Sequence, residues 1–212
     1  MPDALVLHGY FRSSAAWRVR IALNLKGLAY TQQSHHLRHG EHKAPAYRAL
    51  NPQGLVPALE VGGAVLTQSL AICEFLEERH PTPPLLPADP LLRAQVRAFA
   101  QAIACEVHPL QNLGTLDRLR TLGLEEATVQ AWARDTIDHG LAACSALVAA
   151  LTGPYCFGES PTLADVVLIP QLANARRFGA RTDWPRFAAI ESACAAHPAF
   201  AAARPEAQPD FE

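Results

Sequence analysis

Apolar positions follow two different rhythms along this chain. Residues 4–8 form a brief apolar run ended by Gly9, the pattern of a buried strand. Ser13 and Ser14 then precede Trp17, Ile21 and Leu25, spaced by four, with Val19 and Leu23 between them and Gly27 as a stop. That is a helix opened by serines and closed by glycine. Residues 30–36 read as a second strand and residues 43–50 as a short polar helix. Asn51-Pro52-Gln53-Gly54 is a turn cluster. Gly62-Gly63 separates two strand-like runs, Ala58–Val61 and Ala64–Thr67, which predicts a hairpin. Ser69 is expected to cap a helix carrying Leu70, Cys73, Phe75 and Leu76 as far as Arg79. The predicted order is β-α-β-α-β-β-α, parallel at its start and finished by a hairpin.

The rhythm changes after residues 80–90, where five prolines in eleven residues exclude a helix and mark a linker. Beyond it strand signals vanish. Leu92, Val96, Phe99, Ile103, Val107 and Leu110 step by three or four, the stripe of one long helix. Residues 125–151, residues 162–178 and Pro185–Ala196 repeat the helical spacing. Thr162 and Asp165 have capping-box spacing ahead of an apolar run, so Asp165 is assigned to folding rather than to chemistry. The division is therefore an α/β domain over residues 1–82, a Pro-rich linker over 83–90 and an all-helical domain over 91–212.

Composition narrows the class. Half of the 212 residues are hydrophobic and 18% are charged, enough for a packed core. A net charge of −2 carries no nucleic-acid footprint, although it leaves room for a local positive pocket around a small anion. The opening residues lack the basic and apolar regions of a secretory signal. No apolar run is long enough to span a bilayer. The five cysteines are scattered and odd in number, with no Cys-x-x-Cys pair. They point to packed thiols in a reducing, cytoplasmic setting rather than to disulfides or a metal.

Candidate chemistry begins at Ser13 and Ser14. A serine before a helix can be a plain N-cap. The same place offers an anion both a hydroxyl donor and the positive end of a helix dipole. Ser69, at another helix start, offers the same to a carboxylate. Val56-Pro57 stands where a strand begins, a place that tolerates a residue without an N–H.

Several segments together resemble a known family. Phe11-Arg12-Ser13-Ser14-Ala15-Ala16-Trp17, Asn51-Pro52-Gln53-Gly54-Leu55-Val56-Pro57, Thr67-Gln68-Ser69-Leu70, Pro109-Leu110-Gln111-Asn112, Asn174-Ala175-Arg176-Arg177-Phe178 and Ala207-Gln208-Pro209-Asp210 resemble, in order and nearly end to end, segments of the zeta-class glutathione transferases, the maleylacetoacetate and maleylpyruvate isomerases. The resemblance implies a glutathione transferase fold: an α+β thioredoxin-like domain followed by an all-α helical bundle. It implies glutathione as cofactor, a small dicarboxylic acid as substrate and a cytoplasmic homodimer, with no nucleic-acid or membrane partner. The reaction implied is isomerisation of maleylacetoacetate, with maleylpyruvate isomerisation, or transfer to and dehalogenation of halogenated acids, as alternatives.

The same resemblance assigns roles. Ser13, with Ser14 as the other candidate, pairs with the glutathione thiolate. Val56 before a cis Pro57 presents its backbone to the tripeptide, Gln68 and Ser69 take its γ-glutamyl end, and His42, His108 and Asn112 contact it elsewhere. Arg12, Arg177 and Arg176 are assigned to substrate carboxylates, which an arginine fork suits. Arg18 and Arg20 are structural or face a dimer partner. Ala15 departs from the family, which often has cysteine there, so a redox role for that position is not expected.

Overall fold

The structure, a computed structural model, describes residues 4–212; the first three residues of the expected first domain lie outside the described residues. Two compact units form. One holds the described residues up to Leu85 together with Ala195–Glu212, and the other spans Leu86–Cys194.

The first unit is built on a four-stranded sheet in the order β2-β1-β3-β4. Strand β1 is Val6–Gly9, β2 is Thr31–Ser34, β3 is Ala58–Val61 and β4 is Ala64–Thr67. β1 runs parallel to β2 and antiparallel to β3, and β3 and β4 form the hairpin around Gly62-Gly63. The predicted order and hairpin are thus observed. β2 is a polar, largely exposed edge strand, which suits an edge that must stay in water.

Helix α1 (Ser14–Leu25) crosses between β1 and β2 as the parallel pair requires. Val19, Ile21, Ala22 and Leu23 are fully buried. Helix α2 (Pro45–Leu50) follows a short 3₁₀ turn at Glu41–Lys43. Helix α3 (Ser69–Arg79) packs beside α1. Lys26, just past α1, and Glu77 of α3 join these helices in a buried ion pair of 2.6 Å. Lys26 also donates to the Pro83 carbonyl, and Glu77 accepts the Leu85 N–H, so both charges are satisfied by hydrogen bonds.

Two expectations are corrected here. Gln68, not Ser69, is the N-cap of α3, and Ser69 is its first helical residue. The helical domain does not run to residue 212. Helix α9 (Pro198–Ala203) and the chain after it return to the first unit, where Arg20 and Asn24 of α1 donate to the Ala203 and Ala199 carbonyls. Local periodicity describes a helix but not its destination.

The second unit contains α4 (Pro90–Gln101), α5 (Leu113–Thr121), α6 (Glu126–Val148), α7 (Leu163–Arg177) and most of α8 (Pro185–Ala196); α9 is Pro198–Ala203. Asp89 caps α4 by accepting the Leu92 N–H at 2.8 Å, with Pro90 at the first helical position. The expected single helix through Leu110 instead changes to a π-helical turn at Ala102–Val107. Gly140 of α6 explains the close packing there, since a Cβ on it would overlap Val107 Cγ2. Helix α5 was not foreseen, because Leu116 is its only buried residue and its other positions are largely polar. Among the described residues no helix is long and apolar enough to cross a membrane.

Helix α7 is the core of this unit, buried continuously from Leu163 to Leu172. Asp165 is wholly buried at its start. Its carboxylate accepts the N–H groups of Thr162 and Cys156, both at 2.7 Å, and the Thr162 hydroxyl at 3.0 Å. Burial raises its pKa, against the pull of those donors. Asp165→Ala strands three buried donors and is expected to destabilise the protein by about 3 kcal/mol, measured by urea unfolding. Gly140→Ala is expected to cost about 1–3 kcal/mol in the same assay, because Val107 has no space to retreat into a packed core.

Candidate active site

Cross-strand register sets this site. His8 of β1 pairs with Ala58 of β3, and Ala58 pairs with Thr67 of β4. The chain therefore leaves β1 toward Ser13, enters β3 from Val56-Pro57 and leaves β4 toward Gln68-Ser69, all at one end of the sheet. The residues chosen from three separated segments are brought to this end by strand pairing alone.

At the first segment, Tyr10–Arg12 turn away from the sheet, with the Ser13 N–H closing the turn on the Tyr10 carbonyl at 3.0 Å. Ser13 is the N-cap of α1, and its Oγ accepts the Ala16 N–H at 3.2 Å. Capping uses a lone pair and leaves the hydroxyl proton to donate, so the cap and an anion partner are compatible roles for one oxygen. Ser13 is half-buried, whereas Ser14 is buried as the first helical residue. No acidic residue lies in the first turn of α1, so the positive helix end is not neutralised locally. Arg12 is half-buried in the turn just before the cap, and Ala15 is half-buried at the second helical position.

At the second segment, the Val56–Pro57 peptide is cis. A second cis bond, Thr82–Pro83, lies in the Pro-rich stretch and was not foreseen. The ladder starts at Ala58, which leaves the Val56 main chain outside it. The loop before Val56 is anchored from behind. The Tyr47 hydroxyl and the Asn51 amide both donate to the Leu55 carbonyl, at 2.6 and 2.7 Å, and Asn51 Oδ1 accepts the Gln53 N–H. Gly54 has a φ of 61°, and a Cβ there would sit 3.1 Å from the His42 carbonyl, so this loop and the His42 turn touch. His42 itself is buried, with no hydrogen-bond partner for Nδ1. Burial, then Lys43 and Arg48, lower its pKa, so it is a neutral imidazole at physiological pH.

At the third segment, Gln68 is the one non-glycine residue with positive φ among the described residues, at 68°. Such a conformation costs of the order of 1–3 kcal/mol and concentrates at ligand-binding sites. It turns the chain from β4 into α3, so that free N–H groups at the helix start face the same end of the sheet. Gln68 Nε2 donates to Gln53 Oε1 at 2.9 Å, joining this turn to the Val56-Pro57 loop. The Ser69 hydroxyl accepts from Arg18 at 3.3 Å. Arg18 and Arg20 are both buried and bond within their own unit, which favours the structural of the two roles expected for them. Sequence reasoning missed Arg18 as a support of Ser69. The available signal was an arginine within the run Trp17–Leu23, where every residue other than Arg18 and Arg20 is apolar.

The other assigned residues belong to the second unit. His108 follows the π-helical turn, and its Nδ1 lies 3.5 Å from the Gln111 amide. Asn112 caps α5, its Oδ1 accepting the Leu113 N–H at 2.8 Å. Arg176 is exposed at the end of α7 and forms a two-pronged ion pair with Glu191. Arg177 lies over the Phe178 ring, 5.1 Å from its centroid. In the first unit, the gathered groups are two serine-bearing helix starts, a buried arginine and a stretch of main chain outside the strand ladder, a combination of donors and positive charge that favours an anion.

The chain matches two family profiles, glutathione S-transferase N-terminal domain over residues 12–79 and glutathione S-transferase C-terminal domain over residues 113–202. It is 50% identical to the maleylacetoacetate isomerase of Pseudomonas aeruginosa, over 96% of this chain and 97% of that one. It superposes on a holo structure of a maleylpyruvate isomerase, described as a bacterial glutathione S-transferase of the zeta class, with a TM-score of 0.95, 47% identity and coverage of 98% and 100%. It superposes equally fully on the maleylacetoacetate isomerase of Anaeromyxobacter dehalogenans with glutathione bound in its active site, at a TM-score of 0.91, 45% identity and coverage of 100% and 99%. This chain belongs to the glutathione transferase family, in the zeta class that holds the maleylacetoacetate and maleylpyruvate isomerases.

Proposed function

We propose that this protein is a glutathione-dependent cis–trans isomerase that converts maleylacetoacetate to fumarylacetoacetate. The observation that carries this reading is the convergence of Ser13, Val56-Pro57 and Gln68-Ser69 at one end of the sheet. Bound glutathione would supply the sulfur nucleophile that adds to the cis double bond and leaves after rotation about the resulting single bond.

This chain's residues make that chemistry accessible at neutral pH. A free thiol, with a pKa near ~8.5, is mostly protonated there. The Ser13 hydroxyl donates to the anionic sulfur, and the start of α1 adds its positive dipole. The main chain of Val56 pairs with the cysteinyl unit in the manner of an added strand. Ser69 and the open N–H groups of α3 hold the γ-glutamyl carboxylate, with Gln68 beside it and Arg18 orienting the Ser69 hydroxyl. His42, as a neutral imidazole, donates to the tripeptide. Arg12 holds a substrate carboxylate and offsets negative charge as it grows during addition.

For the second unit, we assign His108 and Asn112 to glutathione and Arg177 to the substrate acid. Arg176 is already engaged by Glu191, which makes it the weaker carboxylate ligand of the two arginines. Similarity to a maleylpyruvate isomerase at 47% identity favours maleylpyruvate as a second substrate, since both acids ask for the same geometry. A cytoplasmic homodimer is part of the same reading, and sedimentation of the purified protein tests its dimeric state.

The assay compares both maleyl acids with and without glutathione. Turnover without net loss of glutathione is expected, and equal turnover in its absence overturns the reading. Ser13→Ala is expected to lower kcat roughly a hundredfold, the scale of losing one donor to a developing anion, while glutathione still binds on calorimetry. Arg12→Ala is expected to lower kcat/KM for the dianionic acids by about 2–3 kcal/mol of transition-state stabilisation. The same variant should leave conjugation of a neutral electrophile nearly intact, which parallel rate measurements check.

A further inference from the structure

The turn that carries Ser13 is held by a part of the chain almost two hundred residues away. Phe11, two residues before Ser13, is gripped on both sides of its Cα, at its N–H and at its carbonyl. Its N–H donates to Asp210 Oδ2 at 3.0 Å. Its carbonyl accepts from Arg20 at 2.9 Å. Arg20 also reaches the Tyr10 carbonyl at 3.4 Å, the same oxygen that closes the turn with the Ser13 N–H.

The grip is built in depth. Arg20 is fully buried and spends its Nε on the Ala203 carbonyl of α9. Asp210 is fixed by two further donors on the edge strand β2, Ser34 Oγ at 2.5 Å to Oδ2 and Gln32 Nε2 at 2.9 Å to Oδ1. The Phe211 ring stands edge-on against Phe11, with centroids 5.5 Å apart. Tyr10 gains one more tie, its hydroxyl donating to Glu212 at 3.0 Å. None of these side chains is among those assigned above to glutathione or to the substrate acid.

A thiolate partner works only where its hydroxyl points. Displacements of about 1 Å at a reacting centre cost on the order of a hundredfold in rate. A turn of four residues between a strand and a helix has few internal hydrogen bonds with which to resist such a shift. Here a carboxylate on the Phe11 N–H and a guanidinium on the Phe11 C=O fix the two successive peptide planes on either side of the Phe11 Cα, which aim the chain toward Ser13. Charge-assisted hydrogen bonds are the strong and short-ranged kind suited to that task.

We propose that Asp210, acting with Arg20 through the two peptide units that flank Phe11, is a positioning residue for the Ser13 hydroxyl, so that the segment after α9 sets the geometry of the thiolate site without touching glutathione or substrate. The inference rests on the role given to Ser13 under Proposed function. It assigns a catalytic consequence to a segment that otherwise looks like structural packing.

Two substitutions separate positioning from mere stability. Asp210→Ala removes every acceptor. Asp210→Asn keeps an oxygen for Phe11 N–H and Ser34 Oγ. The Gln32 amide can then turn to present Oε1, which is buried without a partner, to the new amide nitrogen. Wild type, D210A and D210N are loaded with glutathione and titrated by the ultraviolet absorbance of the thiolate, with kcat, the KM for glutathione and Tm recorded beside it. The expected result for D210A is a thiolate midpoint raised by about one pH unit and a kcat lowered roughly tenfold, with a smaller change in KM. D210N is expected to stay within about twofold of wild type in kcat. A D210A protein whose midpoint and kcat match wild type, with only Tm lowered, overturns the proposal. So does a D210N protein as impaired as D210A. If wild type itself shows no thiolate midpoint below that of free glutathione, the reading of Ser13 falls first, and the two failures are told apart by that control.

Discussion

Pairing of His8 with Ala58 and of Ala58 with Thr67 fixes a line across three strands, and the candidate site is whatever the chain places just beyond it. A strand register is unforgiving: a slip by one residue turns every side chain to the opposite face. The apolar identity of Leu7 and Leu59, both fully buried, holds this register. Their burial therefore determines, at one remove, where Ser13, Pro57 and Ser69 stand. The mixed sheet matters too. A parallel β1–β2 pair demands a crossover helix, and that helix begins at the site end of β1. The antiparallel β3–β4 hairpin brings a second helix start back to the same end.

Electrostatics then build on that placement. Two helices begin at one sheet end without acidic residues in their first turns, so their positive termini add rather than cancel. Serines at both starts supply hydroxyl donors. The buried Arg18 bonds the second of these serines and brings a full charge close to it. The chain carries a net negative charge, yet this corner is positive, because field strength at a site reflects the nearest groups and their dielectric surroundings rather than the total.

Buried polar groups elsewhere serve the fold. Asp165 gathers three donors at the start of the most buried helix, and Lys26 and Glu77 tie α1 to α3 while each meets a further hydrogen-bonding partner. In each case charge is buried only where neighbours satisfy it. The four buried cysteines are ordinary packed thiols, and burial raises the pKa of each. They lack the exposure of reactive sulfur.

Local pattern determined a great deal of this protein. The hairpin at Gly62-Gly63, the serine-started helix, the Pro-rich break and the capping box at Thr162 are all short-range features, set by backbone preferences and periodicity within a few residues, and each is where the sequence placed it. Ser13, Val56-Pro57 and Gln68-Ser69 were legible as candidates only through several motifs taken together, since any one of them is an ordinary cap or turn. What tertiary structure alone decided is long-range. The return of the chain after Cys194 to the first unit, the inward bonding of Arg18 and Arg20, the strained backbone of Gln68 and the change from α4 to a π-helical turn each depend on partners remote in sequence or on packing. Periodicity specifies which face of a helix is apolar, but which surface covers that face is settled only when the whole chain has collapsed around it.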